Sequence, residues 1–129
     1  MNEKAQVSLE YILISLSIVV VLSLIIIQAT SLYSKNMQII DNREIKSFSE
    51  KLQGNIDISE ILENYSEEIQ ALPKKTWTIE KIDSKYKISN EEKEYFLESN
   101  IEIKVDFREI KKETILFRKE NKKIYIEKK

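Results

Sequence analysis

The chain of 129 residues has no cysteine and no histidine, and it carries a single glycine and a single proline. The missing thiols exclude a disulfide framework, thiol nucleophiles and thiolate metal sites. The missing imidazoles remove the commonest general base and the commonest metal ligand. One glycine, Gly54, rules out a glycine-rich phosphate loop. Acids are plentiful, but no acid-rich stretch has the spacing and the glycine of a calcium loop. No pair of carboxylates, lysines or tyrosines stands out as catalytic machinery. No enzymatic activity, cofactor or metal site is therefore expected. Lys+Arg number 21 against 22 Asp+Glu. That balance lacks the basic excess of a dedicated nucleic-acid or anionic-lipid binder. Lys111-Lys112, Lys122-Lys123 and Lys128-Lys129 read as solvated surface, and no nucleic-acid partner is expected.

What is present is concentrated at the front. From Tyr11 to Ile27 the chain is apolar, interrupted only by Ser15, Ser17 and Ser23. With its flanking turns this run reaches the roughly 20 helical residues that span a bilayer's hydrocarbon. The acid Glu10 sits at its mouth, where a charge is costly and tends to be functional. A secretory signal has a basic start, an apolar core and a small-residue cleavage site after that core. Here the small residue Ala5 precedes the core, and Gln28-Ala29-Thr30-Ser31 after it is a poor cleavage match. The apolar segment is expected to remain in the mature protein.

Ala5-Gln6-Val7-Ser8-Leu9-Glu10 resembles the class III signal peptide of archaeal type IV pilin-like proteins. That pattern runs Gln, any residue, Ser, any residue, Glu, three more, then Leu. Gln6, Ser8 and Glu10 match it, and Ile14 stands where leucine is usual. The resemblance covers about residues 4–30. It implies that a prepilin peptidase cuts between Ala5 and Gln6, removing a leader of residues 1–5. It also implies that the processed helices of many subunits, in a homo- or hetero-filament, leave the membrane and bundle together. Cleavage would free an α-amine four residues from Glu10, one helical turn away. Between chains, such an amine would neutralise the Glu10 of a neighbour and set the axial register of packed helices. The alternative is an uncleaved, single-pass, signal-anchored protein with an extracellular binding domain.

Between Gln6 and about Leu52 there is neither proline nor glycine, so one continuous helix is expected. Residues 6–30 form its apolar transmembrane and assembly part, and residues 31–53 an amphipathic continuation. Tyr33, Met37, Ile40, Ile45, Phe48 and Leu52 fall near helical spacing and should face the following domain. Lys35, Asp41, Arg43, Glu44, Lys46, Glu50 and Lys51 read as mostly off that stripe. Gly54 is placed to end the helix in a left-handed closing conformation. A second helix is expected over about Ser59–Leu72, capped by Asp57 or Ser59 and closed by Pro73. It would contain Asn64-Tyr65-Ser66, a possible N-glycosylation sequon.

From Thr76 the periodicity changes to two. Trp77–Ile82 and Tyr86–Ile88 flank a turn at Asp83-Ser84-Lys85. Ile101, Ile103, Val105 and Phe107 alternate with Glu102, Lys104, Asp106 and Arg108, the pattern of a sheet with one wet face. Ile115-Leu116-Phe117 and Ile124-Tyr125-Ile126 flank Glu120-Asn121-Lys122 as a hairpin without the favoured Asn-Gly turn. Residues 90–98 fit a loop or a short helix. The expected fold is α+β, with a long N-terminal helix packed on a small antiparallel sheet of four or five strands in a head of residues 54–129. Such a stick and head are what the pilin resemblance implies. The implied function is a structural subunit of a surface filament for attachment, with the head outside the cell membrane. The wealth of Lys, Glu and Ile in the head points toward a minor subunit.

Overall fold

The computed structural model describes residues 3–129. One α-helix, α1, spans Glu3–Ser59. Eight strands follow: β1 Tyr65–Ala71, β2 Trp77–Ile82, β3 Lys85–Ser89, β4 Glu94–Leu97, β5 Glu102–Val105, β6 Glu109–Ile110, β7 Glu113–Glu120 and β8 Lys123–Lys128. The fold is α+β, as the pattern of the sequence implies. The chain divides into two units, one ending at Asn36 and one running from Met37 to Lys129.

The first unit is helical throughout its described residues. Neither proline nor glycine interrupts it, which leaves every backbone N–H and C=O in its interior free to pair along the helix, although its many Ile and Val residues lose some side-chain freedom there.

The second unit, the head, holds the last part of α1 and all eight strands. They form two four-stranded sheets, ordered β1-β7-β8-β5 and β4-β3-β2-β6. Every pairing is antiparallel except β5 with β8. The single sheet of four or five strands expected from the sequence is thus two sheets with eight. The core is one cluster to which all three layers contribute. Ile45, Phe48, Leu52 and Ile56 of α1 meet Ile115, Phe117, Ile124 and Ile126 of the first sheet and Trp77, Ile79, Ile88 and Leu97 of the second. Phe48 lies 5.5 Å from Trp77, ring centre to ring centre. The helical positions 45, 48, 52 and 56 repeat at three and four residues, the spacing of one helix face.

Of the expected apolar face, Ile45, Phe48 and Leu52 are buried, and the buried face departs from expectation only in the turns before them. Asp41 lies on it, almost fully buried, one turn before Ile45, whereas Tyr33 and Ile40 are exposed.

Gly54 does not end α1. The helix continues through it for five residues, and its φ is not positive. Burial of Leu52 before it and Ile56 after it outweighs the roughly 1 kcal/mol that glycine costs inside a helix. A Cβ at this position would meet nothing within 4 Å. Gly54→Ala is therefore expected to stabilise the head by about 0.5–1 kcal/mol. A raised urea midpoint at unchanged slope, measured on the full chain in detergent, checks this.

The second helix expected over 59–72 does not exist. Asp57 and Ser59 belong to the end of α1, and Tyr65–Ala71 is strand β1. Apolar residues at 65, 69 and 72 satisfy a helical repeat, but Ile69 and Ala71 also satisfy a period of two, and both are buried. Seven residues of β1 pair with β7, from Tyr65 opposite Lys119 to Ala71 opposite Glu113. That ladder decides between two patterns the local sequence leaves nearly equal.

Both expected hairpins are present. Asp83 turns β2 into β3 with a φ of 54°. Asn121 and Lys122 turn β7 into β8 with φ of 51° and 63°. Positive φ at both central positions is the two-residue turn whose twist suits a hairpin, here made without glycine. Residues 90–98, which fit a loop or a short helix, contain strand β4. Asn90 begins the turn before it by accepting the backbone N–H groups of Glu92 and Lys93 at 2.9 and 2.7 Å.

Candidate functional site

Three parts of the molecule bear on function: the apolar front of α1, the junction of α1 with the head, and the link from α1 to β1.

The apolar front meets the physical requirements of a membrane span. Its most apolar window of 18 residues has a mean hydropathy of 2.8, and none of that window is buried within the chain. The helix is long and apolar enough to cross a membrane. Three of its hydroxyls bond back to the preceding turn of the helix. Ser17 donates to the carbonyl of Leu13 at 2.9 Å, Ser23 to that of Val19 at 2.8 Å, and Thr30 to that of Ile26 at 2.8 Å. A hydroxyl bonded back to the preceding turn presents no unsatisfied donor to an apolar surrounding. Ser17 and Ser23 are thus compatible with lipid or with the interior of a helical bundle.

Of the expected leader 1–5, Met1 and Asn2 lie outside the described residues, and Glu3, Lys4 and Ala5 begin α1. Gln6, Ser8 and Glu10 are helical and exposed. Gln6 and Glu10 are four residues apart and share a face, while Ser8 falls on another. The Ala5–Gln6 bond lies in the first turns of α1. Glu10 makes no ion pair among the described residues.

Within the head, Asp41 ties α1 to the strands and loops packed on it. Its Oδ1 accepts the indole N–H of Trp77 at 3.0 Å and the backbone N–H of Lys74 at 2.8 Å. Its Oδ2 accepts the Asn90 amide at 2.7 Å, and the same amide donates to Asn42 at 2.9 Å. A buried carboxylate without a cation is tolerable only because three N–H donors replace its water. In the sequence Asp41 reads as a surface charge off the apolar stripe. A signal of its true place is there all the same, since 41, 45, 48 and 52 share one helical face, and an acid in an apolar stripe marks a buried anchor.

At the other end, Lys119 of β7 is 7% exposed. Its ammonium donates to the carbonyl of Ser59 and, at 2.7 Å, to that of Leu62. Ser59 adds its own hydroxyl to the Ile56 carbonyl at 2.7 Å. The last carbonyls of a helix have no partners of their own, and a cation there also suits the helix dipole. This cation replaces Gly54 as the device that stops α1. Nothing in the local sequence announces it, because Lys119 is 60 residues away.

Asn64 is exposed, in the link just before β1, and Ser66 of its sequon is exposed on β1. Tyr65 between them packs edge-on against Phe117, at 6.0 Å between ring centres. Its hydroxyl donates to Glu67 at 2.6 Å. That bond, then partial burial and the nearby negative charge, raises the hydroxyl's pKa above its ordinary value. The basic pairs at the end of the chain are separated by the strand itself. Lys123 approaches Glu102, Lys128 approaches Glu113, and Lys129 pairs with Glu68.

Comparison with family models, with curated proteins and with solved structures finds no match to this chain.

Proposed function

We propose that the chain is a structural subunit of a type IV pilus-like surface filament, cut by a prepilin peptidase before Gln6 and polymerised through its N-terminal helix. The observation that carries this reading is a conjunction. The motif Gln6-x-Ser8-x-Glu10 immediately precedes a span-length helix whose apolar side chains have no cover in the single chain, from Val7 at 57% exposure to Ile27 at 65%. Lipid covers them before assembly, and the helices of other subunits cover them after it. At about 25 cal/mol per Å² of apolar surface, this burial is the main driving force of assembly. The head stays outside the cell membrane and serves attachment. The lysine- and glutamate-rich head suits a minor subunit.

Mass spectrometry of the N-terminal peptide from membranes or sheared surface material tests the reading. A mature start at Gln6, with the glutamine intact or cyclised, is expected. A retained Met1 would overturn processing and leave a signal-anchored binding domain.

Glu10 carries a second expectation. A charge deep in an apolar surrounding costs about 2.5–3.5 kcal/mol on insertion scales. Pairing with the freed α-amine of a neighbour removes that cost only at certain staggers, so Glu10 fixes register. Glu10→Gln is expected to lower filament yield by about tenfold or more, while the N-terminal mass remains that of the processed chain. Filaments as abundant as wild type by electron microscopy would sink this role.

A further inference from the structure

Asn64-Tyr65-Ser66 is the one place in the chain where serine or threonine stands two residues after an asparagine. The middle residue is not proline, so the triplet meets the acceptor rule for N-linked sugar. Three residues alone recur by chance, and the fold supplies what the pattern lacks. The triplet lies outside the helix in which the sequence would place it. α1 ends at Ser59, Asn64 falls in the link, and Tyr65 and Ser66 open β1. No helical hydrogen bond has to break to present it.

Both reacting ends of the triplet face outward. The Asn64 side chain is exposed and, among the described residues, makes no hydrogen bond. Asn55, by contrast, is buried, and Asn42 and Asn90 are hydrogen-bonded to each other. The Ser66 hydroxyl is exposed and equally unbonded among the described residues. Its backbone is open as well, because β1 is the outer strand of its sheet. The Lys129 N–H bonds the Thr114 carbonyl at 3.1 Å, so the even-numbered residues of β7 bond β8 and the odd-numbered ones bond β1. Ile115, Phe117 and Lys119 lie opposite Ile69, Glu67 and Tyr65, which leaves Ser66 to turn its N–H and C=O away from the ladder.

Beside the triplet, Ile61 and Leu62 are uncovered, at 85 and 44% exposure. With Asn64, Asn121 and Lys122 they line an open groove of about 410 Å³. Lys119 holds the carbonyls of Ser59 and Leu62, so the backbone on both sides of Ile61 is tied down. An apolar floor with a few polar groups at its edge suits a sugar ring, which has a face of C–H groups and a rim of hydroxyls.

We propose that Asn64 carries an N-linked glycan and that its first sugar lies over Ile61 and Leu62, with Asn121 and Lys122 at its edge. The donor is a lipid-linked oligosaccharide phosphate. Asn64 Nδ2 forms a bond to the anomeric carbon of the first sugar and gives up one proton. The bond from that carbon to the phosphate oxygen breaks, and the lipid phosphate leaves with its electron pair. The inference rests on the reading that puts the head outside the membrane, and it adds a covalent cover for apolar surface beyond the assembly helix.

Mass spectrometry of the peptide containing Asn64, from native membranes and sheared surface material, tests the modification. Most of that peptide is expected to be heavier by a glycan. Asn64→Gln and Ser66→Ala should abolish the increment, and Ser66→Thr should keep it. A mainly unmodified peptide would overturn the proposal, as would an increment that survives Asn64→Gln. The seat of the sugar is read from Ile61→Cys in a chain without native cysteine. Its reaction with a maleimide is expected to be about fivefold slower or more in the glycosylated chain than in the same chain carrying Asn64→Gln. Ser84→Cys, in the turn between β2 and β3, should react equally in both. Equal rates at Ile61→Cys would overturn the seat. The N-terminal mass, read from the same material, keeps this apart from the filament reading. An unmodified Asn64 in chains that begin at Gln6 overturns the glycan and leaves the function standing. A glycan on chains that retain Met1 overturns the processing and leaves the glycan standing.

Discussion

Replacing Asp41 with alanine is expected to destabilise the head by about 3–4 kcal/mol. The carboxylate is 2% exposed and accepts from Trp77, Lys74 and Asn90. Removing it leaves the Trp77 indole N–H buried without an acceptor, which costs about 1–3 kcal/mol by itself. The Lys74 N–H and one Asn90 contact are lost as well, although Asn90 keeps its bond to Asn42. The relief of no longer burying a charge offsets part of the loss. Asp41→Asn separates these contributions. It retains an oxygen for Trp77 and Lys74 but turns an N–H₂ toward the Asn90 amide, so a loss nearer about 1–2 kcal/mol is expected. Urea unfolding of the full chain in detergent, followed by the fluorescence of the single tryptophan, gives both numbers. Equal, small losses for the two variants would mean that water replaces the carboxylate and that Asp41 is not an anchor.

The same residue illustrates what the sequence makes legible. The apolar run, the uninterrupted helix and the change to period-two alternation after Thr76 depend on local composition, and they translate directly into α1 and the strands. The turns at Asp83 and Asn121 are legible for the same reason, since short polar residues tolerate positive φ. Three features depend on distant partners instead. Tyr65–Ala71 is a strand because β7 offers a ladder. Gly54 stays helical because Leu52 and Ile56 are packed by strands that come later in the chain. The helix stops at Ser59, whose carbonyl accepts from Lys119. Asp41 lies between these cases: its position in the stripe is readable, but its donors Trp77 and Asn90 come from 36 and 49 residues away. The motif Gln6, Ser8 and Glu10 is legible only as sequence, because on an exposed helix these residues leave no mark on the fold.

Lys119→Met is the second change with a large expected effect, about 2–3 kcal/mol of destabilisation. Hydrogen bonds from a charged donor are worth about 1.5–3 kcal/mol each, and two are lost here. Relief of burying the ammonium, together with methionine's fit to the vacated space, returns part of that. The carbonyls of Ser59 and Leu62 then have no donor, so the last turn of α1 should fray. The effect is local before it is global. Amide exchange over residues 56–62 should accelerate by tenfold or more, while amides in β2 and β3 follow only the overall loss of stability. A Lys119→Met chain with wild-type exchange at 56–62 would show that the helix end is held by its core contacts alone.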